Sequence, residues 1–145
     1  MRSIPGMFFV LVQFACVGFL LWTGPLIAWP WPLLLLEAAG GALAVWAIGT
    51  MGLGNLRATP EPAEGARLVE RGPYRVLRHP MYTALLLATA SLVATRFTVG
   101  RLAVAILLLL DILAKCSYEE RLLTTHFPGY AAYRARTWRM IPFLY

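Results

Sequence analysis

Two stretches hold nearly all the side chains of this sequence that could do chemistry: Gly72-Pro73-Tyr74-Arg75-Val76-Leu77-Arg78-His79-Pro80-Met81-Tyr82 and Tyr118-Glu119-Glu120-Arg121. Imidazole, phenol, guanidinium and paired carboxylates can together hold a polar ligand or move a proton. Each piece also has a plain reading, because a lone histidine at an interface is ordinarily a solvated anchor and a glutamate pair can be a solvated helix end. Consecutive helical residues point about 100° apart, so one of Glu119 and Glu120 can face Lys115 while the other turns toward the bundle. Pro80 suits the first turn of a helix, where its missing N–H costs nothing, and this places His79 at or near the N-cap. Free N–H groups at such an end favour a carboxylate or another electron-rich atom.

The elements that position these groups must be apolar. Of 145 residues, 59% are hydrophobic and 14% charged, and the mean hydropathy is +0.66. Such a chain cannot coat a water-soluble domain, and it is too apolar for disorder. Two cysteines support neither a disulfide scaffold nor a zinc site, and no metal is expected. Cys16 and Cys116 read as packed thiols.

Four spans are expected, at about 4–29, 33–56, 81–95 and 102–117, within one membrane domain covering 1–145. The first run, Ile4 to Trp29, has 26 residues without a charge, enough to cross a bilayer and longer than a signal peptide's apolar region. Pro30 and Pro32 are expected to break it, with Trp29 and Trp31 at the interface. The second contains Ala38, Ala39, Gly40, Gly41 and Ala42, which allow close helix approach, and Glu37 near its outer end. Residues 57–80, with Pro60, Pro62 and Gly65, form the long loop. The last two runs are shorter, about 22 Å each at helical rise, and form a hairpin joined by Arg96 to Arg101. Asp111, Lys115 and Glu119 are spaced i, i+4, i+8 on the fourth helix and can pair along one face. Residues 118–145 follow as an amphipathic helical cover containing Leu122, Leu123, Phe127, Tyr130 and Tyr133.

Charge orients this architecture. Eleven of the 13 Lys and Arg residues fall on the side of the 57–80 loop and both ends, and only Arg96 and Arg101 fall on the other. The positive-inside rule then puts the loop and both termini in the cytoplasm, as in a bacterial-type inner membrane, and removes the main support for nucleic-acid binding. The third and fourth helices are sequential and antiparallel, so the two chemistry-bearing stretches meet at one level.

Read in order, Gly72-Pro73-Tyr74-Arg75, Arg78-His79-Pro80-Met81-Tyr82, Glu119-Glu120-Arg121-Leu122-Leu123, Phe127-Pro128-Gly129-Tyr130, Tyr133, Arg136 and Ile141-Pro142 resemble the isoprenylcysteine carboxyl methyltransferase and phospholipid methyltransferase group of integral membrane enzymes. The resemblance covers about residues 45–145. It implies an all-α membrane bundle that transfers a methyl group from S-adenosylmethionine to a lipophilic small-molecule or lipidated acceptor reached from the bilayer. It implies a cofactor pocket containing Tyr74, Arg75, Leu77, Arg78, His79, Pro80, Tyr82, Glu119 and Glu120, with Glu120 and Arg136 in catalytic roles and Arg136 near the acceptor. Gly52-Leu53-Gly54 is similar to the group's Gly-x-Gly, and also fits simple helix packing. Trp138 and Ala84 depart from the group's usual proline and glycine. Prenylated cysteine, phospholipid amine and isoprenoid acid all stay open as acceptors.

The chemistry is consistent with that reading. A sulfonium methyl needs only in-line displacement, so catalysis is positioning and exclusion of water. A carboxylate acceptor is already ionised and can be oriented by an arginine, whereas an amine must lose a proton, for which His79 or a glutamate is the available base. Two other classes compete: a non-catalytic module for membrane assembly or lipid binding, and a membrane reductase. The concentration of His, Tyr and Glu-Glu at one level weighs against the first, and the lack of a dinucleotide fingerprint against the second.

Overall fold

The computed structural model describes residues 4–52, 59, 65 and 67–145. Arg2, Leu53, Gly54, the 53–56 end of the expected second span, Arg57, Pro60 and Pro62 lie outside the described residues. The described residues form an all-helical bundle: α1 (Ile4–Thr23), α2 (Trp31–Met51), a 3-10 turn (Gly72–Arg75), α3 (Pro80–Thr95), α4 (Val99–His126) and α5 (Tyr130–Ala135).

Two of these helices, α1 and α2, are long and apolar enough to cross a membrane. The apolar windows within them are only 17% and 11% buried in the bundle. Helices at the core of a water-soluble protein would be mostly buried, so these faces suit lipid. Trp22, Trp29 and Trp31 are exposed near the same end of the bundle, as interfacial aromatics would be.

The first helix is shorter than expected and ends at Thr23, well before Pro30. Gly24-Pro25 breaks it, because the residue before a proline avoids the helical region. Gly24 also has no room for a side chain: a Cβ there would run into the Arg101 guanidinium. The connection to α2 is pinned by Ala28 N–H donating to Glu37 Oε2 at 2.7 Å and Trp29 N–H donating to Thr95 Oγ1 at 3.0 Å. Glu37 is thus accounted for as a cap on this turn. α2 starts two residues earlier than its expected span and is closed by Gly52 at φ +75°.

Helix pairing also differs from a simple α3/α4 hairpin. α3 packs chiefly on α2, and α4 chiefly on α1, with a smaller α3/α4 contact between the pairs. Gly40 explains the first pair, since a Cβ there would meet the Ala84 carbonyl oxygen at 2.9 Å and the Ala88 nitrogen at 3.2 Å. Polar side chains explain the second. Arg101, 2% exposed, donates from Nη1 to the Leu20 carbonyl at 2.7 Å and to Thr23 Oγ1 at 2.9 Å, and from Nη2 to the Leu92 carbonyl at 3.0 Å. It thereby joins the C-terminal turns of α1 and α3, adding a charged donor at carbonyls near two helix ends. The apolar core between them contains Cys16, Leu20, Val93, Leu108, Ile112, Cys116 and Met140.

α4 runs without a break to His126, so the Glu119-Glu120 pair lies within the helix rather than at its end. Beyond it, the expected amphipathic helical cover is helical only over the six residues of α5. Residues 137–140 are not helical and lie against 76–79 around an isolated Leu77–Trp138 bridge, with Trp138 N–H to the Val76 carbonyl at 2.8 Å, Arg78 N–H to the Trp138 carbonyl at 2.7 Å and His79 N–H to the Arg139 carbonyl at 3.0 Å. Thr137, Trp138 and Ile141 favour extended backbone, and Pro142 excludes helix at its predecessor.

Candidate functional site

Gly72 sets the path of the first motif. Its φ of +56° suits glycine, and a Cβ there would lie 2.6 Å from Thr50 Oγ1 on α2. The 3-10 turn that follows buries Pro73 and Tyr74, and the Tyr74 carbonyl accepts the Tyr133 hydroxyl at 2.8 Å. Leu77 is buried and bridges to Trp138. Arg78 and His79 then face α4, and Pro80 opens α3 with His79 as N-cap residue.

Glu120, 5% exposed, is where the two motifs meet. Its Oε1 accepts from Arg78 Nε at 2.8 Å, lies 3.3 Å from His79 Nε2 and pairs with Arg139 Nε at 3.5 Å. Burial pushes this carboxyl upward, but hydrogen bonds from His79 and Arg78 and their charges outweigh it, leaving a pKa of about 2. On the other side of the imidazole, His79 Nδ1 is 3.7 Å from Glu119 Oε2. Glu119 Oε2 accepts the Tyr82 hydroxyl at 3.0 Å, and the Tyr82 ring stacks on His79 with centroids 5.5 Å apart. The two carboxylates differ in access: the Glu119 side chain is 23% exposed and that of Glu120 6%.

Of the residues expected at the site, Arg78, His79, Tyr82, Glu119 and Glu120 form this one cluster, with Tyr74, Leu77 and Pro80 packed around it. Arg75 is exposed. Arg136 stands apart, exposed and paired with Glu70, beside a groove of about 470 Å³ lined by Met51, Arg67, Leu68, Val69, Glu70 and Arg71. The N-terminus of α3 offers less to an anion than expected, because Pro80 has no N–H and the amides of Tyr82 and Thr83 both donate to the His79 carbonyl.

The C-terminal segment supplies groups that the motifs did not reveal. Arg139 pairs with Glu120 and donates from Nη2 to Ser117 Oγ at 2.7 Å. Arg78 Nη1 donates to the carbonyls of Thr137 and Arg134, so the first motif is tied to the last segment. The clustering of Arg134, Arg136 and Arg139 within six residues was the available signal. Tyr74 and Tyr130 hydroxyls are buried without a hydrogen-bond partner among the described residues, and burial pushes both pKa values upward.

Comparison with known families bears on this arrangement. The family model described as phospholipid methyltransferase matches residues 33–129, two thirds of the chain. The chain belongs to the phospholipid methyltransferase family. No curated protein matches it. The part matched to the phospholipid methyltransferases takes in α2 from Leu33 onward, both motifs, α3 and α4, and ends at Gly129. α1, α5 and the arginines at 134, 136 and 139 lie outside it.

Proposed function

We propose that this protein is an S-adenosylmethionine-dependent methyltransferase acting on a lipophilic acceptor at the cytoplasmic face of a bacterial-type inner membrane. The observation that carries the reading is the single cluster made by His79 and Tyr82 from one motif and Glu119 and Glu120 from the other. A scaffold has no need of two carboxylates around one imidazole. The bundle then spans the bilayer four times, with both ends on the side of the cluster, as the distribution of basic residues favours.

The donor set suits the cofactor. Glu119, the more exposed carboxylate, can accept hydrogen bonds from an ammonium or from ribose hydroxyls. The unpartnered hydroxyls of Tyr74 and Tyr130 can meet further polar edges. When bound, S-adenosylmethionine supplies an electrophilic methyl on a sulfonium. The protein's work is to hold donor and acceptor in line and to keep water out. Glu120 positions rather than binds: its ion pairs with Arg78 and Arg139 join the first motif to the C-terminal segment. For an amine acceptor, Glu119 Oε2 and the adjacent His79 Nδ1 are the groups that can take the proton. Arg136 and Glu70, beside the basic groove, are the pair that an acceptor head group can meet.

The test is binding of S-adenosylhomocysteine, the transfer product, to the full chain in nanodiscs, followed by calorimetry and melting temperature. The wild type should bind and be stabilised. Glu119→Ala should lose binding and keep its melting temperature. Glu120→Ala should lose both, because it leaves buried cations unpaired. Absence of wild-type binding would sink the proposal, and full binding by Glu119→Ala would sink the site assignment.

A further inference from the structure

Lys115, in the interior of the bundle, is 2% exposed, and a buried ammonium is costly unless it is held. Its Nζ donates to Gln13 Oε1 on α1 at 2.8 Å and lies 5.1 Å from the centroid of the Tyr82 ring on α3. That ring stacks on His79, and its hydroxyl donates to Glu119. A continuous line of contacts therefore runs from α1 to the cluster. Gln13 lies outside the segment that matches the family, which begins at residue 33.

The geometry points to Gln13 as a positioning residue: by anchoring Lys115 over the Tyr82 face, it fixes the hydroxyl that orients Glu119 and the ring that backs His79. The inference rests on the proposed cofactor site. It has a physical reason in Asp111, one helical turn below Lys115. Asp111 is 7% exposed, and its Oδ2 has no hydrogen-bond partner among the described residues. Residues i and i+4 on a helix are neighbours, so loss of the Gln13 bond shifts the balance at Lys115 toward Asp111 and away from Tyr82. The Tyr82 ring then loses the cation on its face and can tilt. α1, on this view, is a working part of the site as well as an anchor.

A double-mutant cycle on S-adenosylhomocysteine affinity tests the idea, using the full chain in nanodiscs. Gln13→Leu should raise the Kd about tenfold, the weight of one hydrogen bond to a charged group. Gln13→Glu, which keeps an acceptor oxygen at that place, should stay within about twofold of wild type. The pair Gln13→Leu with Tyr82→Phe should lose less affinity than the sum of the two single losses, since Gln13 acts in part through the hydroxyl that Tyr82→Phe removes. Unchanged affinity in Gln13→Leu, or losses that simply add, would overturn the inference, because a purely structural glutamine would alter melting temperature without this coupling. If Gln13→Leu does not fold, Gln13→Met takes its place in the cycle. A wild type that does not bind overturns the cofactor site itself, whereas a wild type that binds beside an unaffected Gln13→Leu overturns only the role of Gln13.

Discussion

Glu120 shows how much one side chain can carry here. Three cationic or potentially cationic groups converge on its Oε1, so the folded chain holds the carboxyl at about 2 against an ordinary value of 4.5. A carboxyl depressed by folding stabilises the protein above its unfolded pKa, and that stability is lost as pH falls through the folded one. The melting temperature should therefore fall as pH is lowered from about 4.5 to about 2, and Glu120→Gln should flatten that acid limb. A wild-type limb as flat as the variant's would show that Glu120 is not ionised in the fold. His79, Glu119 and Glu120 were legible as candidates because such residues are rare in so apolar a chain. Arg139 was not, because nothing local to its sequence links it to a glutamate 19 residues earlier.

At the scale of elements, close approach decides the arrangement. Gly40 lets α2 meet the α3 backbone at Ala84 and Ala88, and α2 in turn supports Gly72 through Thr50. Gly40→Val should force the helices apart at a cost of about 1–3 kcal/mol, read as a lower melting temperature in detergent. Binding of S-adenosylhomocysteine should weaken with it, since the motif loop rests on the same helix. A variant with wild-type stability would mean that α2 and α3 can repack freely. The small residues of α2 marked a packing face in the sequence, but not which helix it packs on. The non-helical 137–140 segment differs from the expected helical cover because amphipathic composition near basic residues also fits a helix, and only pairing with 76–79 separates the two.

For the whole molecule, one buried arginine and the placement of charge matter most. Arg101 ties the ends of α1 and α3 together, far along α4 from the Glu119-Glu120 cluster. Arg101→Met should lower stability by about 3 kcal/mol by removing the charged donor shared by Leu20, Thr23 and Leu92, while cofactor-product affinity in the folded fraction stays unchanged. A loss of affinity would show the two ends to be coupled. The proposed topology is checked by single cysteines, in a background free of Cys16 and Cys116, at Phe97 and at Arg121. An impermeant thiol reagent applied to intact cells should label the first and not the second, and the reverse pattern would invert the orientation. Composition and the order of motifs by themselves determined the class of fold, the family and the residues to suspect, because apolar runs and rare polar types are local properties of a chain. Only the tertiary structure decided which of those residues touch. It brought Glu120 to Arg139, set Arg136 apart with Glu70, and carried Lys115 to Gln13 on a helix a hundred residues away. Contact between distant segments depends on helix pairing, and that is settled by close packing and buried polar partners rather than by any periodicity in the sequence.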